Sequence, residues 1–280
     1  MSNKNTNYRD QAVALSLTLM TCAVLVVLLW GEIHVLNRFT SEDIALKVRW
    51  ADVLVGMTIY LKTAIDFAIF IGRLMEKNKG LKGRIGIEIG TALGNALGTM
   101  AILLVWTFFK EITWLLAIMV FVAGLVLFRL AEDGMEHIDA NNPNYPKTFR
   151  RFITSFETGL ERLNGLFGPL LNRLIPSRSL NIVESPTLKA LLIMSFTVPF
   201  ILGLDDFAGY VPLFNIVDVF GFGIGVFVGH MVLNILLYIS PKRTIAAVKN
   251  PIISFLGSLA FFGLAIWGII EAVKLLTGHR

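Results

Sequence analysis

The sequence predicts an all-α membrane protein of seven transmembrane helices: one N-terminal helix, then two inverted three-helix repeats, with a cytoplasmic amphipathic helix between the repeats. Three observations predict it. The 280 residues are 55% apolar and only 16% charged, whereas a soluble domain carries about 25% charge. The apolar residues fall in blocks near 20 residues long, the length at which a helix crosses about 30 Å of hydrocarbon. Three short matches recur in the same order in the two halves of the chain, the mark of an internal duplication.

Residues 1–50 hold a polar tail, the first helix at 11–30 and an outer loop. Gly31-Glu32-Ile33-His34 follows this helix in place of a small-x-small cleavage site, so it is expected to be a retained helix, not a cleaved leader. Repeat 1 covers 51–130, with spans at 51–75, 85–109 and 112–130. Repeat 2 covers 188–280, with spans at 188–210, 214–239 and 251–275. None of these blocks shows the two-residue alternation of a barrel strand.

The connection, 131–187, opens on an acidic cluster (Glu132, Asp133, Glu136, His137, Asp139) and a helix breaker, Asn141-Asn142-Pro143-Asn144-Tyr145-Pro146. Apolar residues from Phe149 to Leu174 then recur at helical spacing, with Arg150, Arg151, Glu157, Glu161, Arg162 and Arg173 mostly on the other face. This predicts one amphipathic helix, or two divided near Gly168-Pro169. It lies along the inner leaflet against anionic headgroups or caps the bundle.

Of the 25 Lys and Arg residues, 18 fall on the side of the N-terminus, six on the other side, and Lys62 inside a span. Cytoplasmic loops carry the excess of basic residues. The N-terminus is therefore expected inside and the C-terminus outside, in a membrane of the bacterial cytoplasmic (inner) type. An even number of spans would spoil this asymmetry.

The repeated matches are Asp66-Phe67-Ala68 with Asp206-Phe207-Ala208; Gly90, Gly94, Gly98 with Gly221, Gly225, Gly229; and Gly124-Leu125 with Gly263-Leu264, each followed at eight residues from its glycine by Glu132 or Glu271. Three spans per unit is an odd number, so the second unit enters the membrane from the opposite side. Such inverted repeats recur in secondary transporters, with the site at their interface. Glycines every four residues share one helix face and let a neighbouring backbone approach.

A charge near the bilayer centre costs on the order of 3 kcal/mol and so needs a partner or a wet path. The residues in question are Lys62 and Asp66 in the second span, Asp205 and Asp206 in the fifth, Asp218 in the sixth and Glu88 early in the third, with Asn95, Asn215, His230 and Asn234 as uncharged companions. Asp66 and Asp206 hold equivalent repeat positions and are the leading ion- or substrate-binding pair. Asp205, Lys62, Asn95 and His230 complete the candidate set. Each of the two aspartates lies about two-thirds along its span, so both reach one depth only if the helices are broken. Pro199, Gly203 and Gly209 allow this in the fifth span; the second offers only Gly56 and Gly72. Lys62, four residues before Asp66 on one helix face, can neutralise it. Were a divalent metal bound by Asp66 and Asp206, hard oxygen ligands would favour Mn²⁺, Ca²⁺ or Mg²⁺.

The single cysteine, Cys22, excludes internal disulfides and Cys-rich metal sites. No GxxxxGK[ST], HExxH or GxSxG occurs, which removes the commonest ATPase and hydrolase signatures. No cofactor is expected beyond a transported metal ion or proton. The expected partners are the lipid bilayer and a small ion or solute, not nucleic acid; a homo-oligomer is compatible with this.

The motifs Ala64-Ile65-Asp66-Phe67-Ala68 and Leu204-Asp205-Asp206-Phe207-Ala208, each on the first helix of a three-helix repeat, resemble the lysine exporter superfamily, which includes cadmium-resistance, manganese-export and TerC-type membrane proteins. The resemblance covers roughly 51–275. The Glu-x-Gly-Asp-Lys signature of the calcium/manganese branch and a clear Asp-Asn pair are absent, which leaves the substrate open. The resemblance implies export of a cation or small solute. The leading expectation is a non-enzymatic secondary transporter. The alternatives are a non-transporting scaffold or accessory subunit and a membrane enzyme acting on lipid.

Overall fold

A computed structural model describes residues 2–78, 80–135, 138–139, 145–174, 187–205, 210–214 and 216–278. All regular structure among them is helical: α1 (Ser2–Leu36), α2 (Trp50–Thr63), α3 (Ile65–Lys77), α4 (Leu81–Phe109), α5 (Thr113–Met135), α6 (Lys147–Leu174), α7 (Leu188–Asp205), α8 (Val219–Ile239), α9 (Pro241–Val248) and α10 (Pro251–Thr277). Five helices are long and apolar enough to cross a membrane: the Leu15–Leu36 part of α1, then α4, α5, α8 and α10. The chain is an integral membrane protein by this measure.

The predicted seven spans are not matched one for one. The second is a bent pair, α2 and α3, turned by 68° between them, and counts as a sixth crossing only if the pair is one span. The fifth is an apolar helix, Leu188–Phe200, over the residues whose side chains are described. Its Pro199 does not end the helix, which continues to Asp205. Proline inside a membrane helix is tolerated where neighbours satisfy the freed backbone group.

The described residues divide into two compact units. The first contains α1 to α4, α7, α8 and the start of α9. In it the glycine ladders lie where backbones meet. A Cβ on Gly225 would overlap the Val53 carbonyl and stand 2.9 Å from Met57 N; a Cβ on Gly56 would overlap the Phe222 carbonyl. Gly229 faces Tyr60 and Met57. Rising numbers on α2 thus meet rising numbers on α8, so the two helices run parallel. On α4, Gly86 meets Leu188 and Leu191, Gly90 meets Leu192 and Ser195, and Gly94 meets Phe196 and Phe200. α4 and α7 are therefore parallel as well. In the absence of a hydrophobic drive between helices in lipid, such close approach supplies the packing energy.

The N-terminal ends of α2 and α8 are tied by one guanidinium. Arg49 Nε lies 2.7 Å from Asp52 Oδ2 and 3.0 Å from Asp218 Oδ2, and its Nη2 donates to Asp52 Oδ1 at 3.0 Å. Asp218, the residue before α8, makes no side-chain cap and serves this pair instead.

The second unit holds α5, α6, α10 and the turn at 210–214. α5 and α10 run antiparallel: Gly134 meets Ser258, while Gly124 meets Ala265 and Ile269. The proposed repeat partner of Gly124, Gly263, faces open space. Asn250 starts α10 by accepting from Ile252 N at 2.9 Å and Ile253 N at 3.4 Å, with Pro251 in the first turn; Gly278 ends it at φ +69°. This is the Asn-Pro start and left-handed glycine stop that favour a sharply bounded helix.

α6 is one helix through Gly168-Pro169, not two. Its apolar face is occupied: Ile153 and Leu160 are buried, and Phe149, Phe152 and Phe156 ring Phe255 of α10 at 5.4–6.3 Å between centroids. Asn164 donates to Phe128 O at 3.1 Å and to the Glu132 carboxylate. Of the two sequence expectations, the packed cap describes this face, because aromatic rings on α10 offer it a protein surface in place of lipid. Phe152 and Leu166 keep an outward edge.

Burial, together with the Glu161 and Glu132 carboxylates, raises Glu157 above the ordinary carboxylate range. A raised folded value means the docked helix binds the proton better than the free one. Docking of α6 is therefore expected to be strongest in acid and to weaken as pH climbs from 4.5 through the raised value. Hydrogen-exchange protection of 147–174, corrected for intrinsic rates, should fall over that window in the native protein and stay level in Glu157→Gln.

Candidate functional site

The first unit buries a connected set of polar groups among helices that read as membrane spans. Arg84 and Glu88, four apart on α4, are 4% and 1% exposed, and Arg84 Nη2 lies 3.0 Å from Glu88 Oε2. The contact is one of charge: among the described residues no aligned hydrogen bond reaches Oε2. Arg84 instead donates to Asn234 O at 3.3 Å and to Met75 Sδ at 3.3 Å, and its guanidinium sits 4.2 Å over the Tyr238 ring. A planar cation that is weakly hydrated suits such a site better than lysine.

From Glu88 the polar contacts continue across α8 to α2. Asn234 Nδ2 lies 3.4 Å from Glu88 Oε1, 3.3 Å from Thr91 Oγ1 and 2.9 Å from His230 Nε2. His230 Nδ1 is 2.8 Å from the Tyr60 hydroxyl. The Thr18 hydroxyl of α1 also bonds the Glu88 carboxylate. Glu88 and His230 share the wall of a small cavity with Thr18, Thr21 and Cys22; at about 10 Å³ it has room for about one water. Four helices contribute, and their polar residues face inward because lipid offers these groups no partner.

Next to this relay the second predicted span breaks. Ala64 closes α2, donating to Tyr60 O at 2.9 Å, and opens α3, accepting from Ala68 N at 2.8 Å. The Thr63 hydroxyl donates to the same Tyr60 carbonyl at 3.1 Å. No proline or glycine marks the break. Lys62 is in the last turn of α2, where a cation complements the helix dipole, and Asp66 is the second residue of α3. His230 sits in the elbow, its ring 5.8 Å from Tyr60 on one arm and 5.5 Å from Phe67 on the other.

This corrects one expectation. Lys62 and Asp66 are not successive residues on the face of one continuous helix; a break and a 68° bend separate them. Lys62 is half-buried. Asp66 lies on the described backbone of α3, and Asp205 is the last residue of α7, but the side chains of both lie outside the described residues, as does all of Asp206. The paired-aspartate site is therefore neither assembled nor dispersed by this structure. Asn95 is buried on α4, its Nδ2 without a hydrogen-bond partner among the described residues. No group of three His, Cys, Asp or Glu that could hold a metal occurs among the described residues.

Sequence reasoning missed Arg84, which it left in a basic loop, and Tyr60. The readable signal was the Arg84–Glu88 spacing of four, an ion pair on one helix face. No family model matches the chain, and no curated protein or solved structure matches it either.

Proposed function

We propose that the chain is a secondary transporter moving a cation or small charged solute by alternating access, with the acidic motifs at 64–68 and 204–208 as its binding segments. The observation that carries this reading is the interruption of an apolar span at Ala64, with Asp66 in the first turn beyond it. Discontinuous membrane helices place helix ends, with their partial charges, at the substrate sites of such carriers. A kinship with the lysine exporter superfamily would fit.

Helix directions support the inverted-repeat topology. If seven apolar helices cross in alternation, the second and sixth run parallel, as do the third and fifth, while the fourth and seventh oppose each other. The contacts of α2 with α8, α4 with α7 and α5 with α10 have these senses. They also pair the first helix of each repeat with the second of the other, and the third with the third, as a twofold relation requires. The charge asymmetry then puts the N-terminus inside.

Reconstituted into liposomes with a pH or ion gradient, the protein is expected to carry a hard cation such as Mn²⁺. Asp66→Asn and Asp206→Asn should each lower initial flux at least about tenfold, a loss of about 1.4 kcal/mol in the transition state. Undiminished flux in both variants would remove the site assignment. A second reading, a scaffold whose connection recruits partners, rests on the outward Phe152 and Leu166 of α6; there no flux would be seen with any of the three proteins.

A further inference from the structure

Asn234 carries an imbalance. Its Nδ2 has two hydrogens, but three acceptors stand within reach: His230 Nε2, Thr91 Oγ1 and Glu88 Oε1. The Thr91 hydroxyl hydrogen is already donated to Glu88 O at 3.1 Å, so Thr91 offers Asn234 only a lone pair. At the other end of the same amide, Asn234 Oδ1 is buried with no hydrogen-bond partner among the described residues. Glu88 Oε2 likewise receives no aligned donor. Buried polar groups left unsatisfied are costly and call for an explanation.

A second arrangement becomes available to the same groups when Glu88 carries a proton, with the Thr91 hydroxyl turned from Glu88 O towards the amide oxygen. An amide turned end for end fills the same envelope with N and O exchanged. Asn234 Oδ1 would then accept from a protonated Glu88 and from the Nε2–H form of His230. With Glu88 ionised, Nδ2 donates to Glu88 and to His230 Nε2, and the ring proton on Nδ1 goes to the Tyr60 oxygen. With Glu88 protonated, the ring proton is on Nε2, and Nδ1 accepts from the Tyr60 hydroxyl. His230 holds one ring proton in both states: the Nδ1–H bond breaks, water of the small cavity that His230 also lines takes that proton, and water there supplies the one that forms the Nε2–H bond.

The geometry points to Glu88 as a proton-binding site, filled from the water-sized cavity against α1, with Asn234 and His230 passing its state to the α2–α3 break. One O–H bond forms on the carboxylate. The proton comes from cavity water in exchange with solvent and returns there on release; the site gains one positive charge and no electrons move. The charged and titratable groups around the relay are Arg84 of α4, Cys22 of α1, Tyr60 of α2, and His230 and Tyr238 of α8. His230 reaches both arms of the break, and the Tyr60 carbonyl takes both donors that close it. The coupling role rests on the transport reading above; the proton site does not.

The test is pH-difference infrared spectroscopy on the full chain in lipid nanodiscs. Acidification should produce the carbonyl stretch of a buried carboxylic acid together with a change of imidazole ring modes. Glu88→Gln should lose both signals, and Glu88→Asp should keep a carbonyl stretch at a displaced frequency. Because Glu88→Gln strands Arg84, the neutral pair Arg84→Met/Glu88→Gln is measured beside it. The relay is read in Asn234→Leu, which should keep the carbonyl stretch and lose the imidazole change. A carbonyl stretch that persists in both Glu88→Gln proteins overturns the site; an imidazole change that survives in Asn234→Leu overturns the relay. Signals that vanish with Glu88 in a protein carrying no ion flux support the site and remove only the transport reading.

Discussion

Arg84→Met is expected to lose about 3–5 kcal/mol of stability, the cost of leaving a buried charge without its counter-ion. Glu88 would remain with a single cationic neighbour removed, and no water reaches it in bulk. The same substitution also strips Tyr238 of its cation and Asn234 O of a donor. Arg84→Met/Glu88→Gln removes both charges at once and keeps much of the volume, so most of the loss should be recovered. Unfolding in mixed micelles, followed for each single variant and the double one, gives the interaction energy directly. Equal losses in the single and double variants would assign the effect to packing instead of the stranded charge.

The second large effect is steric. Gly225→Val should destabilise by about 3 kcal/mol or more, at or beyond the upper end of ordinary overpacking, since the new side chain meets the backbone of Val53 and Met57 on α2. A backbone atom cannot swing away as a side-chain tip can. Either α2 and α8 part, taking Arg49 from Asp218 and Tyr60 from His230, or the chain fails to fold. Gly263→Ala is the matched control: nothing lies within 4 Å of its added carbon, and the helix gains up to about 1 kcal/mol of propensity. Thermal aggregation of the two proteins in one detergent should differ by many degrees. Similar midpoints would show that the α2–α8 contact is looser than described.

Much of the helical plan is readable in the chain because lipid imposes so simple a rule on it. Each predicted apolar block contains a helix, and the helical spacing of apolar residues in 147–174 marks the amphipathic helix found there. The number of crossings is less legible. Hydropathy averages over a window, so it passes smoothly through Ala64, where the Tyr60 carbonyl takes both the Ala64 N–H and the Thr63 hydroxyl. The face of α6 illustrates a similar limit. A stripe of phenylalanines suits lipid tails and the rings of α10 equally, and only the tertiary fold decides between them.

Glu88, His230 and Asn234 are conspicuous in sequence as polar groups in apolar blocks. Their connection is not, because it spans helices nearly 150 residues apart. Arg84 is hidden for a different reason. It stands at the edge of its block beside Lys82, where it looks like one more inner-loop charge, yet α4 begins at Leu81 and carries it inward. The two aspartates that repeat symmetry brings forward are the residues whose side chains the structure does not describe, so their assignment rests on the motif and on the break beside it.

The membrane segment of α1 holds to the first unit by one narrow seam: Thr18, Leu25, Leu29, Ile33 and Leu36 are buried, while Val24, Val27, Leu28 and Val35 look outward. Its 22 residues from Leu15 to Leu36 measure about 33 Å at 1.5 Å per residue, within a few ångströms of the hydrocarbon layer. A thinner bilayer would be met by leaning this helix over, and the lean pivots on the seam. Thr18 and Cys22 would travel with it, so lipid chain length becomes a dial on the chamber beside Glu88.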